Sequence, residues 1–172
     1  DDNHLVLVYK TVGEGTAVLS QLKENESISL FGPLGTGFPV KDRDVVLIGG
    51  GVGVPPLAET AKQYILNGNN VTAVLGFNTK EDAILVERLK ETGANVCIAT
   101  MDGSLGTKGT VMDAIDEYGI DVPFVLACGP LPMLKAVAST YSDGYVSLEA
   151  RMACGMGACM GCVVQDENGQ AK

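Results

Sequence analysis

The spacing of apolar and polar positions changes period along the chain. Residues 45–48, VVLI, form a continuous apolar, β-branched run, the pattern of a strand buried on both faces. GGGVG follows at 49–53, and Pro55 and Pro56 then open a helix, where a missing N–H is harmless and φ is already set. That helix runs through residues 57–64 to a stop near Asn67 and Gly68. A second strand is predicted over 71–77 and a second helix over 79–91, with Thr79 and Asp82 spaced as a capping box. A third strand (95–99), a loop (101–109) and a helix (111–118) ended by Gly119 come next. A fourth strand (124–127), the turn Cys128-Gly129-Pro130, a helix through Thr140 and a last strand (145–148) complete the series. Strands alternating with helices predict an α/β fold, a doubly wound parallel sheet spanning residues 41–148.

The residues before this rhythm read differently. HLVLVY (4–9) is predicted as a strand, residues 17–22 as a short helix capped by Thr16, and SISL (27–30) as a second strand. FGPLGTGFP (31–39) is Gly/Pro-rich and marks a domain boundary. Residues 1–40 fall below the size at which a domain usually stabilises itself. They are expected to be the remnant of a larger antiparallel β domain. After the sheet, residues 149–172 form a third, cysteine-bearing segment.

Composition narrows the function. The 172 residues carry 46% hydrophobic side chains, enough for a packed core. The net charge of −9 argues against nucleic acid, whose binding rests on basic contacts to phosphate. No apolar run approaches the roughly 18 residues of a membrane span. There is no signal peptide and no initiator Met, so the natural start is expected upstream. Five cysteines, three of them within nine residues, predict a reduced, cytoplasmic metal or cluster site rather than a disulfide framework.

In open parallel sheets ligands lie at the carboxyl ends of the strands. The first such end carries Gly50, Gly51, Val52, Gly53 and Pro55, a G-x-G-x-x-P variant of the dinucleotide fingerprint. Its backbone N–H groups and the following helix N-terminus suit a pyrophosphate, although any tight strand-to-helix turn can need such glycines. Asp102-Gly103-Ser104 offers a carboxylate, an amide and a hydroxyl for ribose or pyrophosphate; the alternative is a solvated turn. No acid ends the second strand, where Gly76-Phe77-Asn78 stands, and Lys80 is the nearest cation, so NAD is preferred to NADP. Cys128, just past a strand and before a helix, is predicted to be partly open with a lowered pKa, and so a catalytic candidate; the alternative is a small buried hydrophobe. Cys97, between Val96 and Ile98, is assigned to the core, and His4 to a structural strand position.

The densest signal is Cys154, Cys159 and Cys162, in C-x4-C-x2-C spacing, that of a plant-type [2Fe–2S] loop. Gly155, Gly157 and Gly161 let backbone wrap close to a cluster. Zinc is the alternative, but zinc sites tend to pair C-x2-C knuckles and to use His.

The runs GGGVGVPPLAE, ACGPLPMLKA (127–136) and SLEARMACGMGACMGC (147–162) resemble the electron-transfer subunits of dihydroorotate dehydrogenase B, in the ferredoxin–NADP reductase superfamily. The resemblance implies a β-barrel domain for FAD, of which residues 1–40 would be the C-terminal part, a nucleotide domain for NAD (41–148), and a small [2Fe–2S] domain, here partial (149–172). Gly13, Glu14, Gly15 and Thr16 match its second flavin-phosphate loop. Gly51, Val52, Gly53 and Pro55 match its nicotinamide-side loop, and Cys128 and Gly129 its CGP turn. Cys154, Cys159 and Cys162 match three of four cluster ligands. An earlier flavin motif of Arg-x-Tyr-Ser type and the fourth ligand have no counterpart.

The implied activity is that of an oxidoreductase subunit in pyrimidine biosynthesis. Electrons from dihydroorotate, oxidised on a catalytic flavoprotein partner, would pass by way of [2Fe–2S] and FAD to NAD+ in a hetero-oligomer. A related NADH-linked flavin and iron–sulfur reductase subunit of sulfide or hydrogenase type is the first alternative. A non-redox nucleotide module with structural zinc is the second. Residues after about Glu149 are expected to be loosely packed without a cluster, FAD to be weak or lost, and Gly53→Val to abolish NAD(H) binding in a folded protein.

Overall fold

In the computed structural model, which describes residues 4–121, 123–148, 152–164 and 168–170, Val45, Val46, Leu47 and Ile48 are at most 1% exposed. They belong to β1 (Val45–Gly50), the central strand. β2 (Val71–Phe77) pairs with one side of it and β5 (Phe124–Cys128) with the other. β3 (Asn95–Thr100) and β4 (Thr107–Lys108) extend the sheet beyond β2, and β6 (Asp143–Ser147) beyond β5. The order is β4-β3-β2-β1-β5-β6, with every neighbouring pair parallel. A strand wedged between two parallel neighbours and covered on both faces has no polar side to show, which is why VVLI is uninterrupted.

The helices cover both faces. On one, α2 (Pro55–Leu66) and α3 (Val86–Glu91) bring Leu57, Tyr64 and Leu89 against Leu47, Leu75 and Phe124. On the other, α4 (Val111–Glu117) and α5 (Leu131–Thr140) bring Val111, Ile115 and Leu134 against Val46, Ile48 and Val74. Two separate apolar layers are the signature of double winding, as the periodicity predicts.

The residues before the sheet correct three expectations. Neither 4–9 nor 27–30 forms a strand; Leu5 to Tyr9 are 39–71% exposed. The apolar pattern is there, continuous in 4–9 and alternating in 27–30, but a strand needs a paired neighbour, and the described residues supply none for these two. The helix is α1 (Glu14–Leu19), not 17–22, so Thr16 lies inside it. The Thr16 Oγ1 accepts from the amides of Val12 (3.0 Å) and Gly13 (3.2 Å) and donates to the Gly13 carbonyl (3.0 Å).

The helix over 79–91 is also interrupted. The capping pair forms, Thr79 donating to Asp82 Oδ2 through its amide and hydroxyl, each at 3.2 Å. It starts only a 3-10 turn, Lys80–Asp82. Ala83, Ile84 and Leu85 then pack against the core beneath α2, and Leu85 adopts φ +57° before α3 begins. Packing of three consecutive half-buried apolar side chains against the core overrides the helical phase. Among the described residues no helix is long and apolar enough to cross a membrane.

Candidate functional site

The carboxyl ends of β1 and β5 interlock. Gly51–Gly53 form a 3-10 turn directly after β1, and Gly51 has φ +52° with open space where a side chain would go. A Cβ on Gly53 would collide with the Cys128 carbonyl, so the two turns touch backbone to backbone. A Cβ on Gly50 would lie 2.7 Å from Pro130 Cδ and 2.9 Å from Met133 Sδ. Met133 thus packs against the glycine turn. Its place was invisible in the sequence, where a helical Met carries no signal of what it touches. Val52, 46% exposed, and Pro55, at the start of the 12-residue α2, complete the turn.

Cys128 is corrected by this packing. It is the last residue of β5, paired with Gly49 of β1 and Ser147 of β6, and only 6% exposed. It is not partly open: strands on both sides enclose it. Cys97 is equally buried, as expected, and burial raises its thiol pKa. His4 is exposed and outside any strand.

The ends of β2 and β3 are stitched together beside the turn. The Met101 amide donates to Phe77 O (3.1 Å) and the Asp102 amide to Asn78 O (3.3 Å). The exposed Asp102 accepts at Oδ1 from the Ser104 hydroxyl (2.6 Å) and amide (3.0 Å), which hold its carboxyl below the ordinary carboxylate range. The Lys80 amide donates to Ser104 Oγ (2.8 Å). Ser104 is therefore the hub joining the two loops. This arrangement leaves a negative charge at the carboxyl ends of the strands, the side of an open parallel sheet on which ligands bind. Gly13, Glu14, Gly15 and Thr16 lie at the start of α1, far along the chain from these turns and without a buried residue in the helix.

In the cysteine segment Cys154 and Cys162 are half-buried and Cys159 is exposed. Gly155 (φ +72°), Gly157 (+77°) and Met160 (+55°) put the backbone in the left-handed region three times within six residues. This folds amides toward one sulfur. The Cys159 amide first, then that of Met156, the Cys159 thiol and the Ala158 amide hydrogen-bond Cys154 and hold its thiol down at about 6. Stabilised thiolate on a glycine loop is the chemistry an iron–sulfur cluster requires, and these donors fit that group. Among the described residues no three of the His, Cys, Asp and Glu side chains converge into a formed metal site. Cys97 and Cys128, buried in the sheet, cannot be the fourth ligand without breaking it. Glu149 and Arg151 lie outside the described residues, as does part of the segment expected to be loosely packed.

Known proteins resemble this chain in sequence and in fold. Residues 47–139, more than half the chain, match the oxidoreductase NAD-binding domain, and residues 149–172 match the iron–sulfur cluster binding domain of dihydroorotate dehydrogenase B. The electron transfer subunit of dihydroorotate dehydrogenase B (NAD(+)) from Bacillus mycoides (strain KBAB4) is 44% identical over 169 residues. The match covers 95% of this chain and 65% of that protein, and the one from Bacillus cereus (strain G9842) matches equally. The chain thus spans just under two thirds of these relatives. Among solved structures, one described as an NADH-dependent reduced ferredoxin-NADP oxidoreductase superposes with a TM-score of 0.83 at 36% identity, over 95% of this chain and 62% of that one. The cytochrome b5 reductase domain of Ulva prolifera nitrate reductase shares the fold, with a TM-score of 0.57 at 19% identity over 72% of this chain and 56% of that one. With its parallel sheet, its interlocked strand-end turns and a matched segment longer than half its length, the chain belongs to the oxidoreductase NAD-binding domain family.

Proposed function

We propose that this chain is part of an electron-transfer subunit that hands electrons from dihydroorotate, oxidised on a catalytic flavoprotein partner, to NAD+. Residues 41–148 are the nucleotide domain, residues 1–40 contribute to a flavin-binding domain, and residues 149–172 to a cluster domain. The single observation that carries the reading is the cysteine loop, with amides turned onto Cys154, following directly on the last strand of a nucleotide-binding sheet. That combination joins one-electron and two-electron carriers in one chain. When bound, FAD and [2Fe–2S] supply the redox chemistry.

The protein's own residues do the positioning. Gly51, Val52 and Gly53 present backbone amides to the pyrophosphate, and the α2 N-terminus, which Pro55 opens a few residues past Gly50, favours its charge. Asp102 accepts from the ribose hydroxyls of the adenosine half. Cys128 and Gly129 wall the nicotinamide end, where the burial of Cys128 excludes water from the hydride path. Gly13, Glu14, Gly15 and Thr16 hold the flavin phosphate. Cys154, Cys159 and Cys162 supply three cluster thiolates. The reduced thiols fit work in the cytoplasm.

A second reading is favoured by the 36% identity to the NADH-dependent reduced ferredoxin-NADP oxidoreductase: the same carriers serving another donor. The deciding experiment is a visible spectrum with iron and sulfide analysis of the full-length protein, followed by reduction tests. Bleaching by dihydroorotate in the presence of the partner subunit supports the first reading, and bleaching by reduced ferredoxin alone supports the second. A colourless protein holding one zinc rejects both.

A further inference from the structure

The glycine turns account for the nucleotide end of the site, but not for how the chain entering the sheet is held. Of the described residues before Val45, none is buried. Phe38 and Val40 are partly buried and pack against the α2-side core. Between them and just after them the backbone is gripped by one side chain. Tyr64 of α2 is fully buried, and its hydroxyl donates to the Pro39 carbonyl (3.1 Å) and accepts from the Lys41 amide (3.2 Å). Asn69, just beyond α2, donates from Nδ2 to the Lys41 carbonyl (3.3 Å). Upstream, Thr36, Gly37, Phe38 and Pro39 share a cleft of about 280 Å³ with Pro56 and Thr60 of the first turns of α2. Residues 36–41 therefore run along α2 as a strap, from the helix end that follows the glycine turn to the end that carries Tyr64.

We infer that Tyr64 is a positioning residue, whose hydroxyl fixes the strap on α2 and thereby sets where residues 1–35 stand relative to the nicotinamide end of the site. The inference rests on the reading above, in which those residues belong to the flavin-binding domain. A buried phenol that spends both its donor and its acceptor on one strap is not needed for packing, since Phe would fill the same volume. Its hydroxyl instead satisfies two backbone groups that a free-swinging linker would leave to water. Because α2 begins at the glycine turn, a strap fixed to α2 carries the domain before it into register with the bound dinucleotide. Hydride transfer is sensitive to that register, a displacement of about 1 Å costing on the order of a hundredfold in rate.

The test is Tyr64→Phe in the full-length flavoprotein. Two quantities are followed: amide hydrogen exchange of the peptide covering residues 36–43, and the stopped-flow rate of flavin reduction by NADH alongside the NADH dissociation constant. The expected result is faster exchange in the strap and a rate reduced by about tenfold or more, with the dissociation constant unchanged within twofold. Asn69→Ala, which removes only the bond to Lys41 O, should move both quantities the same way by less. A lower melting temperature with unchanged strap exchange, or with faster exchange but an unchanged rate, overturns the inference and leaves Tyr64 a core residue. If NADH fails to reduce the flavin of the wild-type protein, the functional reading fails, and the exchange measurement still decides whether Tyr64 holds the strap.

Discussion

A side chain at residue 51 and one at residue 53 should fail for opposite reasons. The sequence pattern alone predicts that Gly53→Val blocks the nucleotide in an otherwise folded protein. The structure shows instead that the new Cβ meets the Cys128 carbonyl, which is backbone and cannot yield cheaply. Gly53→Val should therefore cost on the order of 1–3 kcal/mol or more in stability, and lose binding through distortion of the turn. Gly51 faces open space at φ +52°, a conformation that Asp tolerates better than most residues. Gly51→Asp should melt within a few degrees of the wild type while weakening NADH at least tenfold, because its carboxylate stands in the pyrophosphate's place. Calorimetry and a thermal melt separate the two, and tight NADH binding by a folded Gly51→Asp protein would remove the turn from the site. Thiol accessibility checks the correction made to Cys128. In the metal-free folded protein Cys154, its thiol held down at about 6, and the exposed Cys159 should alkylate first and Cys162 next, while Cys128 and Cys97, each 6% exposed, should label only as the sheet unfolds. Site-resolved mass spectrometry reads the order. Early labelling of Cys128 would restore it as an open nucleophile.

At the scale of elements, caps and strands were legible where local chemistry and burial agree. The strand expected over 71–77 matches its observed bounds, because VTAVLGF is the nearly continuous apolar run that a parallel strand covered on both faces requires. The helix expected over 111–118 agrees as well, opened by a Thr110 cap not anticipated from the sequence. Thr110 donates to Asp113 Oδ2 through its amide (2.6 Å) and hydroxyl (2.7 Å), and its Oγ1 accepts from the Asp113 amide (3.4 Å). The Thr79–Asp82 pair has the same chemistry but starts no long helix, because Ala83, Ile84 and Leu85 follow it into the core. Residues 4–9 and 27–30 show the reverse error: a strand-like apolar pattern, continuous in the first and alternating in the second, cannot make a strand without a neighbour to pair with. Thr110→Ala should then cost about 1 kcal/mol. The Thr110 side chain and amide also hold Asp113 below its ordinary pKa, so its folded value lies beneath its unfolded one. A depressed acid contributes stability above its unfolded pKa of about 3.9, and that contribution fades as pH falls through the folded value. The stability gap between wild type and Thr110→Ala should thus be full at pH 7 and narrow below about pH 4. A gap that stays constant from pH 7 to pH 3 in denaturant titrations would show that the cap bonds contribute nothing through the ionised acid.

At the scale of the molecule, the chemistry was readable where one residue type carries it, and hidden where backbones meet. Three cysteines in C-x4-C-x2-C spacing announce themselves in the sequence. The contact between Gly53 and Cys128, the Ser104 hub and the Tyr64 strap do not, since each joins segments 23 or more residues apart through backbone groups. The cysteine loop tests the whole arrangement, because it decides whether the nucleotide sheet is one end of an electron path. Its amides converge on Cys154 and hold that thiol well below the ordinary range. Exchanging it for serine removes both a ligand and the anion those amides hold. In the full-length protein Cys154→Ser should abolish the visible iron–sulfur absorption. Cys159→Ser and Cys162→Ser should bleach it too, since each removes one of the few thiolates available. NADH binding to the glycine turns should survive in all three, because the turns are set by β1, β5 and Met133 and not by the loop. Iron and sulfide analysis with NADH calorimetry on the same samples measures both arms. Full iron content in Cys154→Ser would strip the loop of its role. Loss of NADH binding along with the colour would mean that loop and sheet fold as a single unit rather than as adjoining stations.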